Sequence, residues 1–248
     1  MAQWFGYDWP IEGAQARFAV DMALSDCSCD EWPYLLYLSC ESRRRDAPSL
    51  NAIESARADG LRKSFVRESP CLYAGYIEVG AQRQFYFYAR EKKARKPLDE
   101  IAGRERVLAC RAGGAEEPEW VTYRQLLYPD AAKMQTERNR DQIALLVKNG
   151  DSVKGLGRVS FALFFATESI MLLFAEQARL SGFALAGPVY EPEYELAYGT
   201  KIVRLATLDK TEIDALTTRA IRIAEKYGGE LRYWDSPVVR RGGPIMEN

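Results

Sequence analysis

Cys27-Ser28-Cys29 and Cys40 would together offer three thiolates to a soft metal ion. A closed structural zinc site asks for four ligands, with a Cys-x2-4-Cys pair or a near variant at each end. Cys71 and Cys110 do not supply that second pair. Both sit in apolar, strand-like surroundings, where a free cysteine acts as a small core residue, so no metal is expected. The 248 residues include no histidine, which removes Ser-His-Asp and Cys-His nucleophilic catalysis and every His-containing zinc site. Glu191, Glu193 and Glu195 have the residue type for acid–base work, but with no placed partner they read as an exposed turn. Gly155-Leu156-Gly157-Arg158 precedes a strand and lacks the third glycine of a dinucleotide fingerprint, so it reads as an entry loop. No catalytic group and no cofactor are expected, and the chain reads as a non-enzyme.

Charge points the same way. Thirty-four basic residues stand against thirty-five acidic ones, for a net charge of -1. Arg43-Arg44-Arg45 and Lys92-Lys93-Ala94-Arg95-Lys96 are clusters with acids close by and read as solvated loops. Direct nucleic-acid binding is therefore not expected. The N-terminal Met-Ala-Gln-Trp-Phe-Gly lacks the charged and apolar blocks of a signal peptide, and no apolar run reaches a membrane span. A cytoplasmic setting is expected. Hydrophobic residues make up 47% of the chain, enough for a core in each half.

The elements that must position any site fall into two groups. In the first, Trp4 to Pro10 reads as an edge strand. Ala14 to Leu24 alternates strictly, as a half-buried strand does, and Pro33 to Cys40 reads as an interior strand. Leu50, Ile53, Arg57, Leu61 and Phe65 mark one face of a helix over 49–66. Cys71 to Val79 and Arg83 to Ala89 form a hairpin about Gly80, and Lys92 to Lys96 is a loop ended by proline. Val107 to Cys110 is a short strand before a Gly113-Gly114 break, and Trp120 to Tyr128 a short helix. The run Phe85-Tyr86-Phe87-Tyr88 faces both ways, toward a core and toward an interdomain contact. Residues 130–156 form a helical bridge, with Ile143, Leu146 and Val147 on its buried side.

In the second group, Val159 to Phe165 is a central strand. Thr167 caps a helix that buries Ile170, Leu173, Phe174 and Ala178, and Phe183 to Val189 returns as a strand. Lys201 to Thr207 is the next strand. Asp209 and Glu212 form a capping box for a helix that buries Ile213, Leu216, Ala220, Ile223 and Tyr227. Gly228-Gly229 stops that helix, and Leu231 to Asp235 closes the sheet. The order β-α-β-β-α-β is the split βαβ, ferredoxin-like arrangement. The expected fold is α+β in two domains. Residues 1–129 form a mixed or antiparallel sheet with one or two helices, and 157–248 the ferredoxin-like domain.

Asn149-Gly150-Asp151, Arg158-Val159 opening the strand with Phe164-Phe165, Ser181-Gly182-Phe183, and Gly228-Gly229 with Trp234-Asp235 resemble the regulator of ribonuclease E activity B family. The typical family ending is a Gly-Gly-x-Tyr-Asp-Gly-Trp-Glu-Thr-like run. Here it reads Gly228-Gly229-Glu230-Leu231-Arg232-Tyr233-Trp234-Asp235-Ser236. The glycines, tryptophan and acid agree, the inner residues differ, and Ser160-Phe161 replaces a usual histidine. Tyr73-Ala74-Gly75-Tyr76-Ile77, Phe85 to Tyr88 and Trp120-Val121-Thr122-Tyr123 with Leu127-Tyr128-Pro129 resemble the uncharacterised domain often fused ahead of that family. The resemblance implies a protein-binding regulator of an endoribonuclease, with a ribonuclease E-like partner and no catalysis.

The alternation of the strands suggests where such a partner would bind. Val159, Phe161, Leu163 and Phe165, with Val203 and Leu205, form the more apolar set and should lie under the helices, and Leu231 and Tyr233 read as core. The opposite face would then show Ser160, Phe164, Arg204, Arg232 and Trp234, an aromatic-and-arginine composition typical of interface hot spots. A second reading is a small-molecule sensor, with a ligand held between the domains near Trp120, Tyr123 and Trp234.

Overall fold

A computed structural model describes residues 2–237. The chain divides into two compact units, Met1–Pro129 and Asp130–Asn248, each built on an antiparallel sheet with helices, an α+β architecture.

The first unit has six strands: β1 (Trp4–Ile11), β2 (Ala14–Asp21), β3 (Tyr34–Ser42), β4 (Cys71–Val79), β5 (Gln82–Ala89) and β6 (Leu108–Glu116). They lie in the order β1-β2-β4-β5-β3-β6 with every neighbour antiparallel. The two-residue period of a strand separates two cores. Leu36, Leu38, Phe85 and Phe87 pack with Leu61 and Phe65 of helix α1 (Ala52–Glu68) and with Leu98 of helix α2 (Arg95–Arg104). Leu35, Tyr86, Tyr88 and Phe18 face the other way, against Trp120, Tyr123 and Leu127. The aromatic run of β5 thus fills two cores of its own unit. Its phenylalanines take the side of α1 and α2. Its tyrosines take the other side, where the Tyr88 hydroxyl donates to Glu117 at 2.7 Å.

Helix α1 opens on a complete capping box, in which Asn51 and Glu54 each accept the other's backbone N–H at 2.9 Å. Glu54 also accepts from the Ser42 hydroxyl at 2.6 Å and from Arg44 at 2.8 Å, and these bonds rotate the helix from the expected stripe. Glu54, Ala58, Leu61 and Phe65 are buried, whereas Ile53 is 74% exposed. The Arg44 guanidinium, then the Ser42 hydroxyl and Asn51 amide, lower the Glu54 carboxyl from 4.5 to about 2. A carboxylate depressed in the fold stabilises above its unfolded pKa, and that stability is lost as pH falls through the folded value. The melting temperature should therefore fall between pH 4.5 and about 2. Glu54→Gln should flatten that part of a pH series followed by circular dichroism, and an unchanged slope would contradict the assignment.

Two further expectations fail in this unit. The segment from Lys92 runs on into α2 instead of ending at proline. Pro97 sits in the first helical turn, where its missing N–H has no partner to lose. Strand β6 continues through Gly113-Gly114 instead of breaking there. A Cβ on Gly113 would lie 2.2 Å from the Tyr37 ring, so the glycine admits a cross-strand side chain and does not end the strand.

The second unit contains α3 (Ala131–Lys148), β7 (Gly157–Phe165), α4 (Glu168–Leu180), β8 (Ala184–Tyr190), β9 (Tyr198–Ala206), α5 (Lys210–Glu225) and β10 (Glu230–Asp235). After α3, the order β-α-β-β-α-β is the one read from the sequence. The sheet runs β10-β7-β9-β8, all antiparallel, with β7 and β9 central. The stretch expected as a helical bridge is helical over α3, which packs along α5 within this unit. Its buried side carries Gln135, Thr136 and Asn139 beside Leu146, and Val147 is 48% exposed. Asp130 caps α3 by accepting from the Lys133 amide at 2.9 Å and also meets Arg222 of α5 at 2.6 Å. Burial pushes the Asp130 carboxyl up, but that amide and guanidinium outweigh it and hold it below its ordinary range.

Helix α4 buries Met171, Phe174, Ala175 and Ala178, and the Phe174 ring centre lies 4.7 Å from that of Phe165. Leu173, expected in this stripe, is 60% exposed. Ahead of α5, Asp209 accepts from Thr211 and Glu212 at 2.9 and 3.2 Å. Glu212 turns away to the Thr207 amide at 3.0 Å, so only half of the expected capping box forms.

Candidate functional site

Residues directly opposite each other in an antiparallel ladder share a sheet face, and the register of β7 therefore sorts the second unit's side chains. Phe161 pairs with Ile202 on one side and Trp234 on the other. Phe165 packs on α4, so this set lies on the helix side. Ser160 pairs with Val203 and Asp235, Ala162 with Lys201 and Tyr233, and Arg158 with Leu205, and these make up the opposite face. Val203 and Leu205 are thus not under the helices as expected, and Leu205 is 71% exposed. Arg204 pairs with Val159 on the helix side, where its guanidinium donates to the Gly182 carbonyl beyond α4.

The largest departure lies in β10. Leu231 pairs with Leu163, yet Tyr233 pairs with the next residue of β7, Ala162. Arg232 is the extra residue of a β-bulge, and a bulge reverses the alternation of everything after it. Leu231 and Trp234 therefore point to the helix side, and Tyr233, expected in the core, points away from it and is 38% exposed. Trp234, expected as a contact residue on the open face, is 4% exposed. Its Nε1–H donates to Asn139 Oδ1 at 2.8 Å. Gln135 donates to the same oxygen at 2.9 Å, while Asn139 Nδ2 donates to Asp214 and to Thr217, both at 2.8 Å. Every polar atom of the Asn139 side chain is thereby engaged, as a fully buried amide requires. Trp234 and Asn139 fasten α3 and α5 to the edge strand.

The open face is built around the bulge. The Arg232 guanidinium carbon lies 3.7 Å from the Phe164 ring centre and 4.3 Å from that of Tyr194, a cation held between two aromatic faces. Its nitrogens donate to Glu191 at 2.5 Å and to the Leu196 carbonyl at 2.9 Å, which folds the acidic turn 191–197 over this end of the sheet. Phe164 is fully buried beneath this stack. It occupies the space above Gly199, where a Cβ would come 2.6 Å from the ring. Farther along, Lys201 Nζ lies 5.4 Å from the Tyr233 ring centre and 3.7 Å from Asp235. Ser160 lies in this face, buried among these side chains. Of the five expected contact residues, the fold groups Arg232, Phe164 and Ser160 and removes Arg204 and Trp234. Tyr194, Lys201 and Tyr233 take their places. Tyr233 turns outward because of the bulge in β10, which is visible only once the pairing is known, whereas Tyr194 lies in the turn before β9 and Lys201 in β9 itself.

Trp120 and Tyr123, expected to line a ligand site, are each 1% exposed in the core of the first unit. Trp120 stacks on Tyr88 with ring centres 4.0 Å apart, and its Nε1–H donates to the Trp32 carbonyl at 2.9 Å. The Tyr123 hydroxyl donates to the Asp21 carbonyl at 2.8 Å. Cys40 lies against Cys110 and not with Cys27 and Cys29. Among the described residues no group of three or more cysteines, aspartates or glutamates converges as a metal ion would require. Nor is any helix among them long and apolar enough to cross a membrane.

The second unit is thus an α+β module with helices on one sheet face and aromatic and charged side chains on the other. Residues 136–236 match the family described as Regulator of ribonuclease activity B. The match begins inside α3 and ends just past β10, so most of α3 falls within the family's extent. No curated protein matches the chain.

Proposed function

We propose that this protein is a non-catalytic, cytoplasmic regulator that captures a protein partner, and that the partner is a ribonuclease of the ribonuclease E type. The contact surface is the open sheet face of the second unit. The observation that carries this reading is that the segment matched to a ribonuclease-regulator family presents Tyr194, Tyr233 and Lys201 around a preformed Arg232 stack. Tyrosine and arginine dominate interface energetics because they contribute large rigid surfaces with a polar handle. Tyr194 is 52% exposed and ready for contact, whereas Arg232 has all its bonds within the unit and acts by positioning the turn.

Tyr194→Ala combined with Tyr233→Ala should weaken capture of a purified ribonuclease E by about 30-fold or more, since two hot-spot side chains are worth about 2 kcal/mol or more together. Titration calorimetry reads the affinity, and the melting temperature should stay within a few degrees of wild type. Undiminished affinity in the double variant would place the contact surface elsewhere.

A further inference from the structure

Cys40 of β3 and Cys110 of β6 stand directly opposite each other, and β6 is the edge strand of its sheet. Their sulfurs are 3.4 Å apart in a thiol–thiol hydrogen bond, and neither thiol is in a disulfide. Cys40 is fully buried, while Cys110 is only half-buried. We propose that this pair is a site of peroxide oxidation at which a hydroperoxide converts the two thiols to a reversible cross-strand disulfide.

The two sulfurs have different chemical roles. The hydrogen bond between the two thiols lowers the pKa of Cys110; burial and Glu105 oppose this, and Arg43 and Arg57 assist. Cys40 is raised in turn, by its bond to Cys110 and by burial, which leaves Cys110 the better thiolate of the two. A half-buried thiol of lowered pKa on an edge strand, next to a second thiol, is an arrangement that oxidises and resolves to a disulfide. Cys71, by contrast, is pushed up to about 12 by burial and should stay unreactive.

In the first step the Cys110 thiolate attacks one peroxide oxygen and the O–O bond breaks. Hydroxide leaves and takes up a proton, and Cys110 becomes a sulfenic acid. The Cys40 sulfur then attacks the Cys110 sulfur and the S–O bond breaks. The departing hydroxide leaves as water with the Cys40 proton. Two thiols are oxidised to one disulfide while one hydrogen peroxide is reduced to two waters. The sulfurs must close from 3.4 Å to about 2.05 Å, which an edge strand free of a second neighbour allows. The product ties β6 to β3 across 70 residues of sequence.

The test treats the full chain with stoichiometric hydrogen peroxide and follows intact mass and peptide maps. The expected result is a loss of about 2 Da per chain, a linked Cys40–Cys110 peptide, and restoration by a dithiol reductant. Cys40→Ser should halt at the sulfenic acid, trapped by a dimedone-type reagent, and Cys110→Ser should show neither trapping nor mass loss. The wild-type map decides the matter even if a variant folds poorly. Recovery of both cysteines unlinked, or a link to any other cysteine, would overturn the proposal.

Discussion

Trp234→Ala should lower the stability of the second unit by about 3–5 kcal/mol, the range for truncating a large buried aromatic side chain. The ring is 4% exposed, and its Nε1–H supplies one of two donors to the buried Asn139 oxygen. Removal opens a cavity beside α3 and α5 and leaves that oxygen partly unsatisfied, so the transfer and hydrogen-bond losses act together. Trp234→Phe keeps most of the apolar contact and loses the donor, at a cost of about 1–2 kcal/mol. Urea unfolding should show both as shifts of midpoint with little change in slope. A Trp234→Ala protein as stable as wild type would mean that the ring does not pack beneath the helices. The contrast with Tyr194 and Tyr233 matters for function. Loss of capture in a Trp234 variant would report unfolding of the platform, whereas loss in the tyrosine double variant would report contact.

Glu105→Ala should be the comparable lesion in the first unit, at about 3 kcal/mol. The Glu105 side chain is fully buried and accepts from the backbone amides of Arg106, Val107 and Leu108 at 2.9, 2.6 and 3.2 Å. Arg57 of α1 meets it at 2.7 Å. This carboxylate therefore joins the end of α2, the start of β6 and the middle of α1. Burial pushes its pKa up, but the Val107 and Leu108 amides and the Arg57 guanidinium outweigh burial and hold it below the usual carboxylate range. Its contribution is thus present above that range and lost on acidification. Glu105→Gln should be intermediate at neutral pH, and its deficit against wild type should shrink as pH falls through the carboxylate range. A deficit that does not depend on pH would show that the charge contributes nothing beyond an acceptor oxygen.

Much of the architecture could be read along the chain because the physics behind it is local. Alternation marked β2, and apolar runs marked β3, β5 and β7. Thr167 capped α4 and Asp209 capped α5 as their positions implied. Gly182 and Gly228, at φ +87° and +63°, end or follow helices where a left-handed residue is needed. The errors came where a local rule met a distant partner. Helix α1 turned because Glu54 is bonded to Ser42 and Arg44. The glycines of β6 read as a break because the groups that fill their space, the Tyr37 ring at Gly113 and Leu35 and Leu36 at Gly114, belong to another strand. Helix α3 read as a bridge because its buried side is polar, and the groups that satisfy Asn139 come from positions 214, 217 and 234.

The candidate site divides along the same line. The sequence by itself determined an α+β chain without histidine, with a closing strand of arginine and aromatic residues and a resemblance to ribonuclease regulators. It also identified Arg232, Phe164 and Ser160 as neighbours on one face. Only the tertiary structure decided which way that closing strand faces. A single bulge at Arg232 exchanges the two sides of everything that follows it, turning Trp234 into the helix-side core and Tyr233 outward. Strand alternation is a property of each residue's own backbone, but register belongs to a pair of strands, and one extra residue is visible only when both are in place.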